Sequence, residues 1–125
     1  MNYESMSDFE VNKEVANLLD AKFMLDEFVF GNEEREVVYL CEKDGIDSIF
    51  PVCEFNPCGN PSDAWPIIIE NEISIVDPIS CGLDKKWMAS KFYPKFNKKD
   101  IDWDDKNPLR AAMIVFLRMN EGEVL

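Results

Sequence analysis

Histidine is absent from this sequence of 125 residues. Histidine is the commonest general base at neutral pH and a frequent metal ligand, so its absence removes the usual serine and cysteine triads and the histidine-containing metal sites. Glycine is scarce as well, and the five glycines never form the G-x-G-x-x-G or G-x-x-x-x-G-K patterns whose backbone cradles phosphate. These absences exclude many enzyme classes, and we expect a binding protein rather than an enzyme.

Long hydrophobic runs are also missing. The longest apolar stretch, residues 111–117, is far shorter than the ~20 residues that a helix needs to cross a bilayer. The opening residues, MNYESMSDFEVNK, lack the cationic start and the apolar run of a secretion signal. We therefore expect a protein that stays in the cytoplasm where it is made and does not bind a membrane.

The cysteines and the acidic clusters do not form a recognisable metal site. Cys53 and Cys58 are separated by four residues, as in some zinc sites, but Cys41 and Cys81 provide no second paired spacing. Without a secretion signal, four irregularly spaced cysteines indicate reduced, buried thiols. Four aspartates around Trp103 could hold a hard cation, but they lack the spacing of a calcium loop, so a solvated acidic loop is favoured. We expect no metal and no cofactor.

Length and helix-start signals predict the helical part of one domain. A chain of this length with 46% hydrophobic residues can bury a core without disulfide bonds or bound metals. We therefore expect a single domain of all 125 residues. Ser7 and Glu10 match a capping box that starts a helix over residues 8–20. Two Asn-Pro pairs, in which Asn caps the helix and Pro takes its first position, begin helices over residues 61–71 and 108–120.

Strands are expected between these helices. Residues 36–42 are β-branched and aromatic and end in a Lys-Asp-Gly turn signal, so residues 46–55 return as a second strand, shortened or bulged at Pro51. The resulting fold class is α+β, with a small antiparallel sheet and about three helices packed mainly on one face. The remaining predictions are a loop or short strand over residues 21–35, strands near 73–76 and 86–92, and a charged loop over 98–106 that contains Trp103.

The chain is strongly acidic, with one local exception. Its net charge of −12 at pH 7 disfavours binding of a nucleic acid duplex. Residues 85–99, which we call the lysine–aromatic segment, carry six lysines and no acid, so the other 110 residues sum to −18. Four aromatic residues alternate with these lysines, which offers positive potential and flat apolar surface to a ligand with a phosphate and a ring. The alternative is a cationic surface strip without a ligand.

The starts of the two Asn-Pro helices are a second candidate anion site. Outward-pointing backbone amides at a helix start favour anions, although Asn60 and Asn107 are equally explained as simple caps. Arg110 lies in the first turn of its helix, where a positive charge opposes the helix dipole, so we expect an anionic partner for this exposed side chain. That partner is either Asp63, in the other Asn-Pro helix, or a bound carboxylate or phosphate.

Three stretches of the chain resemble one protein family. NPSDAWPIIIENEISI at residues 60–75 and NPLRAAMIVFLRM at residues 107–119 resemble the two signature blocks of the NinX family, small proteins encoded by tailed bacteriophages and prophages of enteric bacteria. The opening MNYESMSDFEVNKEVA is similar to the start of that family. The resemblance implies a phage origin, a bacterial cytoplasmic setting and an accessory role in infection, and it implies no particular activity. Residues 77–106 resemble the family least.

Two functions from different classes fit these observations. The first is a non-catalytic binding module that sequesters a nucleotide-derived immune signal of the host, in a pocket that a homo-oligomer could form between identical subunits. The second is an acidic inhibitor of a host defence protein, or a DNA mimic that occupies a basic groove. A hydrolase that uses aspartates and a metal is the least favoured function. The predicted ligand-binding residues are Asn60, Asp63, Trp65, Lys85, Lys86, Trp87, Lys91, Tyr93, Trp103, Asn107 and Arg110.

Overall fold

The computed structural model of the protein describes residues 2–23, 27–32, 37–44, 48–78, 86–93 and 99–121. Contacts divide the chain into two compact units, Met1–Asn56 and Pro57–Leu125. Helices and antiparallel strands occur in both units, so the predicted α+β class is confirmed. The single domain expected from the length stays a prediction.

The first unit contains one α-helix and one sheet. A short 3-10 turn (Tyr3–Ser5) precedes helix α1 (Asp8–Phe23), which extends slightly past its predicted end. The sheet consists of β1 (Glu27–Asn32), β2 (Val37–Asp44) and β3 (Ser48–Glu54), paired antiparallel in the order β1-β2-β3. Helix α1 packs against β1 and β2. Strand β1 confirms the short-strand alternative for the segment after the helix.

The capping box predicted at the start of α1 is confirmed. Ser7 Oγ accepts a hydrogen bond from the backbone N–H of Glu10 at 3.2 Å, and Glu10 Oε1 accepts one from the backbone N–H of Ser7 at 3.4 Å. One helical turn later, Val11 and Val15 are completely buried and form the apolar side of the helix. The capping box and the spacing of the buried valines therefore both confirm the helix predicted here.

The pairing of β2 with β3 contains the irregularity predicted at Pro51. Leu40 pairs with Cys53, whereas the next residue, Cys41, pairs with Pro51, so Val52 is the extra residue on β3. Proline has no N–H and cannot donate to the ladder, and a bulge is one of the few places in a sheet where it is tolerated. The bulge lets β3 continue to Glu54, at the edge of the cleft described below.

The second unit contains both Asn-Pro helices and a second sheet. Helices α2 (Pro61–Glu70) and α3 (Pro108–Met119) begin at their predicted prolines. Strands β4 (Ser74–Val76), β5 (Trp87–Lys91) and β6 (Ile101–Asp105) pair antiparallel in the order β4-β5-β6. Within the described ranges, the strands therefore form two three-stranded sheets where one small sheet was expected.

Helix α3 forms the core of the second unit, as its apolar sequence predicts. Residues 110–117 are all buried, and Phe116, Met113 and Ile114 are the largest of them with at most 1% of their surface exposed. The helix packs against β4, β5, β6 and α2, so nearly every side of it meets another element. No helix in the described parts of the chain is both long and apolar enough to span a membrane.

The charged loop predicted over residues 98–106 is wrong in its central part, because β6 occupies Ile101–Asp105. The residues alternate in exposure: Trp103 is partly buried, whereas its neighbours Asp102 and Asp104 are exposed. This period of two places one face of the strand towards α3 and leaves the aspartates on the other face. The density of acids suggested a loop, but the alternation is the signal of a half-buried strand.

Candidate functional site

The lysine–aromatic segment contains strand β5 and the residues that follow it. Lys86, just before the strand, is exposed, and Trp87, its first residue, is half-buried. Phe92, just after the strand, has 55% of its surface exposed. Lys85 and residues 94–98 lie outside the described residues. The described part therefore presents two lysines, Lys86 and Lys99, and the ring of Phe92 to solvent.

Lys91 is held within the protein. Its Nζ donates a hydrogen bond to the carbonyl oxygen of Asn71 at 2.8 Å and lies 5.6 Å from the centroid of the Tyr93 ring. Asn71 is the C-cap of α2, where carbonyl oxygens lack helical partners and a positive charge complements the helix dipole. The backbone N–H of Tyr93 in turn donates to Asp100 Oδ1 at 2.9 Å. Lys91 therefore connects β5 to the end of α2.

Arg110 is buried rather than exposed, which corrects the prediction. Its Nε donates to Asp105 Oδ2 at 3.1 Å. This carboxylate is an anionic partner of the kind expected for a cation in the first turn of a helix. It belongs to β6 of the same unit, and the predicted partnership of Arg110 with Asp63 stays a prediction. In the register of β5 with β6, Asp105 is the residue opposite Trp87.

The helix starts are capped, and their first amides do not point outward without partners. Asn107 Oδ1 accepts from the backbone N–H groups of Leu109 and Arg110, and its Nδ2 donates to the carbonyl oxygen of Cys58. In α2, Asn60 Oδ1 accepts from the backbone N–H of Ser62 at 3.0 Å, and the next two backbone amides donate to the Asn60 carbonyl. Both asparagines therefore act as caps, and the predicted anion site at the two helix starts stays a prediction.

The two remaining predicted tryptophans lie in different settings. Trp65, on α2, has 57% of its surface exposed, and Asp63 on the same helix is half-buried. Trp103 is half-buried on β6, with the guanidinium carbon of Arg118 at 5.9 Å from its ring centroid. Arg118 Nη1 also donates to the carbonyl oxygen of Asp102 at 2.8 Å. Trp103 thus packs beneath an arginine of α3.

A cleft of about 280 Å³ lies in the first unit, where sequence reasoning placed no site. It opens between the start of α1 and the adjoining parts of β2 and β3. Asn12 is 5% exposed, and its Nδ2 donates to Asn56 Oδ1 at 2.8 Å. Asn12 and Asn56 are 44 residues apart and form no motif, so the sequence carries no signal for this contact. The lining residues are Ser7, Asp8, Phe9, Asn12, Val37, Val38, Glu54, Phe55 and Asn56.

The electrostatic surroundings of this cleft are negative. The first unit contains fourteen acidic and four basic side chains, a net charge of −10, whereas the second contains eleven and nine, a net charge of −2. The lining includes the carboxylates of Asp8 and Glu54 and no lysine or arginine. Almost all of the net negative charge of the protein is therefore in the unit that carries the cleft.

Metal binding has no support in the described part of the chain. No group of three or more cysteine and acidic side chains there is arranged to hold a metal ion. Cys58 is buried, and its backbone carbonyl accepts a hydrogen bond from Asn107 Nδ2. The exposed carboxylates of Asp102 and Asp104 share one face of β6.

Comparison with known protein families gives a match over nearly the whole chain. The family model described as Bacteriophage P22, NinX, matches residues 2–120. No curated protein matches the chain. The match includes the helix starts, both sheets and the segment that carries the lysines, and it confirms the resemblance found in the three sequence stretches. The protein is therefore a bacteriophage protein of the NinX family.

Proposed function

We propose that this protein is a phage accessory protein that acts in the host cytoplasm by binding a basic surface of a host protein through its first unit. The observation that carries the proposal is the charge of −10 on residues 1–56, against −2 on the rest of the chain. An acidic surface of this kind attracts basic partners, accelerates their association and repels nucleic acid. The host surface would be one that otherwise binds nucleic acid or another polyanion, so that occupying it inhibits the host protein.

Several acids of the first unit are exposed at the protein surface. Glu4, Asp8, Glu10 and Glu54 are exposed. Lys13 is the one basic residue of α1 whose side chain is described, and its Nζ lies 5.8 Å from the centroid of the Phe9 ring. The described acids therefore form a negative surface around the start of α1. The one described cation of this helix, Lys13, lies close to the Phe9 ring.

The test uses the full chain as bait in a lysate of the host, followed by binding measurements with the purified captured protein. We expect affinity to fall steeply as salt rises from about 50 to 200 mM, because contacts between exposed charges are screened. The triple variant Glu4→Gln, Asp8→Asn and Glu54→Gln should bind roughly tenfold more weakly, since each exposed ion pair contributes up to about 1 kcal/mol.

A matched control removes the same charge from the second unit. The variant Glu70→Gln, Asp102→Asn and Asp104→Asn changes three exposed acids there and alters the net charge equally. We expect it to bind as the unmodified protein does. Equal weakening by both triple variants, or binding that does not respond to salt, would overturn the proposal that the first unit is the binding surface.

A second candidate function is capture of a nucleotide-derived host signal at the lysine–aromatic segment. The observation in its favour is the exposed ring of Phe92 on the same segment as the exposed Lys86. Lys91 and Arg110 contribute less to this proposal, because both already bind groups of the protein. A ligand that binds the native state raises the melting temperature by mass action, so a nucleotide panel tests it. We expect one nucleotide to raise it and the Lys85→Ala, Lys86→Ala variant to remove that shift; no shift with any nucleotide would contradict this function.

A further inference from the structure

We propose that the cleft of the first unit binds the guanidinium group of an arginine side chain on the host partner. This inference rests on the proposed function, because it names the group of a basic surface that the acidic unit would hold. The cleft volume of about 280 Å³ is just below the range of roughly 300–1,000 Å³ for small-molecule pockets, so it suits one side chain better than a whole nucleotide.

The charge of the cleft selects a cation. Its lining contributes the carboxylates of Asp8 and Glu54 and no basic side chain. The start of a helix ordinarily favours an anion, but here the first turn of α1 contains Asp8 and Glu10, which oppose that preference. The capping box also occupies the backbone N–H of Glu10. An anion would therefore meet carboxylates rather than free amides at this helix start.

The walls of the cleft favour guanidinium over a strongly hydrated ammonium group. Phe9, Phe55, Val37 and Val38 supply aromatic and aliphatic surface, and Phe55 is 6% exposed. A guanidinium group is planar, weakly hydrated and able to stack on an aromatic ring while its N–H groups donate to carboxylates at the rim. The Phe9 ring already has one cation nearby, since Lys13 Nζ lies 5.8 Å from its centroid.

A hydrogen bond joins two of the polar residues that line the cleft. Asn12, 5% exposed, donates through Nδ2 to Asn56 Oδ1 at 2.8 Å. Phe55, beside Asn56, is held by a 2.8 Å hydrogen bond from its backbone N–H to the carbonyl oxygen of Val38. These hydrogen bonds hold Asn12, Asn56 and Phe55 in place before a ligand binds, which lowers the entropic cost of binding.

The experiment is an NMR titration of the full chain with L-argininamide. We expect shifts of the backbone amides from Ser7 to Asn12 and of the side-chain amides of Asn12 and Asn56. L-citrullinamide, which has a similar shape and an uncharged urea group, should give at least about fivefold weaker binding. L-lysinamide should also bind more weakly, because an ammonium group cannot stack as guanidinium does.

Two variants with equal charge test the place of binding. Asp8→Asn with Glu54→Gln removes both carboxylates of the cleft and should weaken argininamide binding about fivefold, as expected for two exposed charge contacts. Glu4→Gln with Glu14→Gln removes two acids of the same unit that do not line the cleft and should change binding less than about twofold. Urea denaturation of each variant verifies that the fold is retained.

The outcomes separate this inference from the proposed function. Absence of shifts at the cleft, equal binding of citrullinamide or lysinamide, or equal weakening in the two double variants would each overturn the guanidinium site. None of these results would refute the proposed function, because the salt dependence of host-protein binding tests it separately. Conversely, argininamide binding at the cleft together with no dependence of host-protein binding on the first unit would support the site and refute the proposed function.

Discussion

Arg110 Nε and Asp105 Oδ2 are 3.1 Å apart, in a pair that joins the first turn of α3 to the last residue of β6. Their side chains are only 11% and 23% exposed, so water screens the pair weakly. Asp105 Oδ1 also accepts from the backbone N–H of Asn107 at 2.9 Å, which attaches the same carboxylate to the N-cap of α3. One aspartate thus fixes both the start of the core helix and the only cation in its first turn.

Replacing this aspartate should destabilise the protein more than replacing its partner. Asp105→Asn keeps an acceptor for Asn107 but removes the charge that compensates Arg110, and we expect a loss of about 2 kcal/mol in the free energy of unfolding. Arg110→Met leaves the Asp105 carboxylate, which is the more exposed partner and still accepts from the Asn107 N–H, and should cost about 1 kcal/mol. Urea denaturation followed by circular dichroism measures both.

The control for this pair is Asp104→Asn, which removes a carboxylate from the exposed face of the same strand. We expect its effect to stay within about 0.5 kcal/mol. A loss from Arg110→Met that equals or exceeds the loss from Asp105→Asn would show that compensation of a buried charge is not the reason for the pair.

The two N-caps should differ in their contribution to stability. Asn107 is partly buried, accepts from two backbone amides and donates to the Cys58 carbonyl, whereas Asn60 is exposed and its side chain accepts from Ser62. We expect Asn107→Ala to cost about 2 kcal/mol and Asn60→Ala about 1 kcal/mol. Thermal and urea denaturation compare them, and equal losses would mean that the bond to Cys58 contributes nothing.

Lys91→Met tests whether this lysine is part of the scaffold. The substitution keeps an unbranched apolar stem but removes the ammonium group that binds the Asn71 carbonyl, and we expect a loss of about 1 kcal/mol. Lys86→Met, at an exposed position immediately before β5, should change stability by less than about 0.5 kcal/mol. If both variants are as stable as the unmodified protein, Lys91 is available for a ligand after all.

Local signals explain why the helices were predictable from the sequence. The Ser7 and Glu10 capping box and the Asn-Pro pairs act within three residues, so the sequence alone contains their complete geometry. The acids of β6 favour a solvated loop when they are considered alone, whereas the alternation of Ile101, Asp102 and Trp103 is a strand pattern.

The site was less predictable because it depends on contacts between distant residues. Asn12 and Asn56 meet across a separation of 44 residues, and neither belongs to a recognisable motif. The sequence predicts that Arg110 needs an anionic partner. It does not identify Asp105 as that partner, because Asp105 lies on β6, a strand that the sequence analysis does not predict. Charge patterns identify candidate residues, and the fold decides whether their partners lie within the protein.

Helix α2 ends in a turn that ordinarily requires glycine. Glu72 has a φ of 53°, in the left-handed region. Its backbone N–H donates to the Ile69 carbonyl, and the N–H of Ile73 donates to the Ile68 carbonyl, which is the hydrogen-bond pattern of a Schellman motif. Ile68 and Ile73 are both buried, as expected for the apolar contact that accompanies this motif. The turn is therefore well formed around an unfavourable residue.

Glu72→Gly should stabilise the protein. A residue with a Cβ is destabilised by about 1–2 kcal/mol in the left-handed region, whereas glycine costs only about 0.5–1 kcal/mol of additional chain entropy on folding. We therefore expect the free energy of unfolding, measured in urea, to rise by roughly 0.5–1 kcal/mol. Glu70→Gly is the matched control, because it removes the same charge from the last residue of α2 and should destabilise by about 0.5–1 kcal/mol. Since the two substitutions are chemically identical, opposite signs would locate the effect in the backbone conformation of Glu72. A loss of stability in Glu72→Gly would instead mean that the glutamate side chain stabilises the turn by more than its conformation costs.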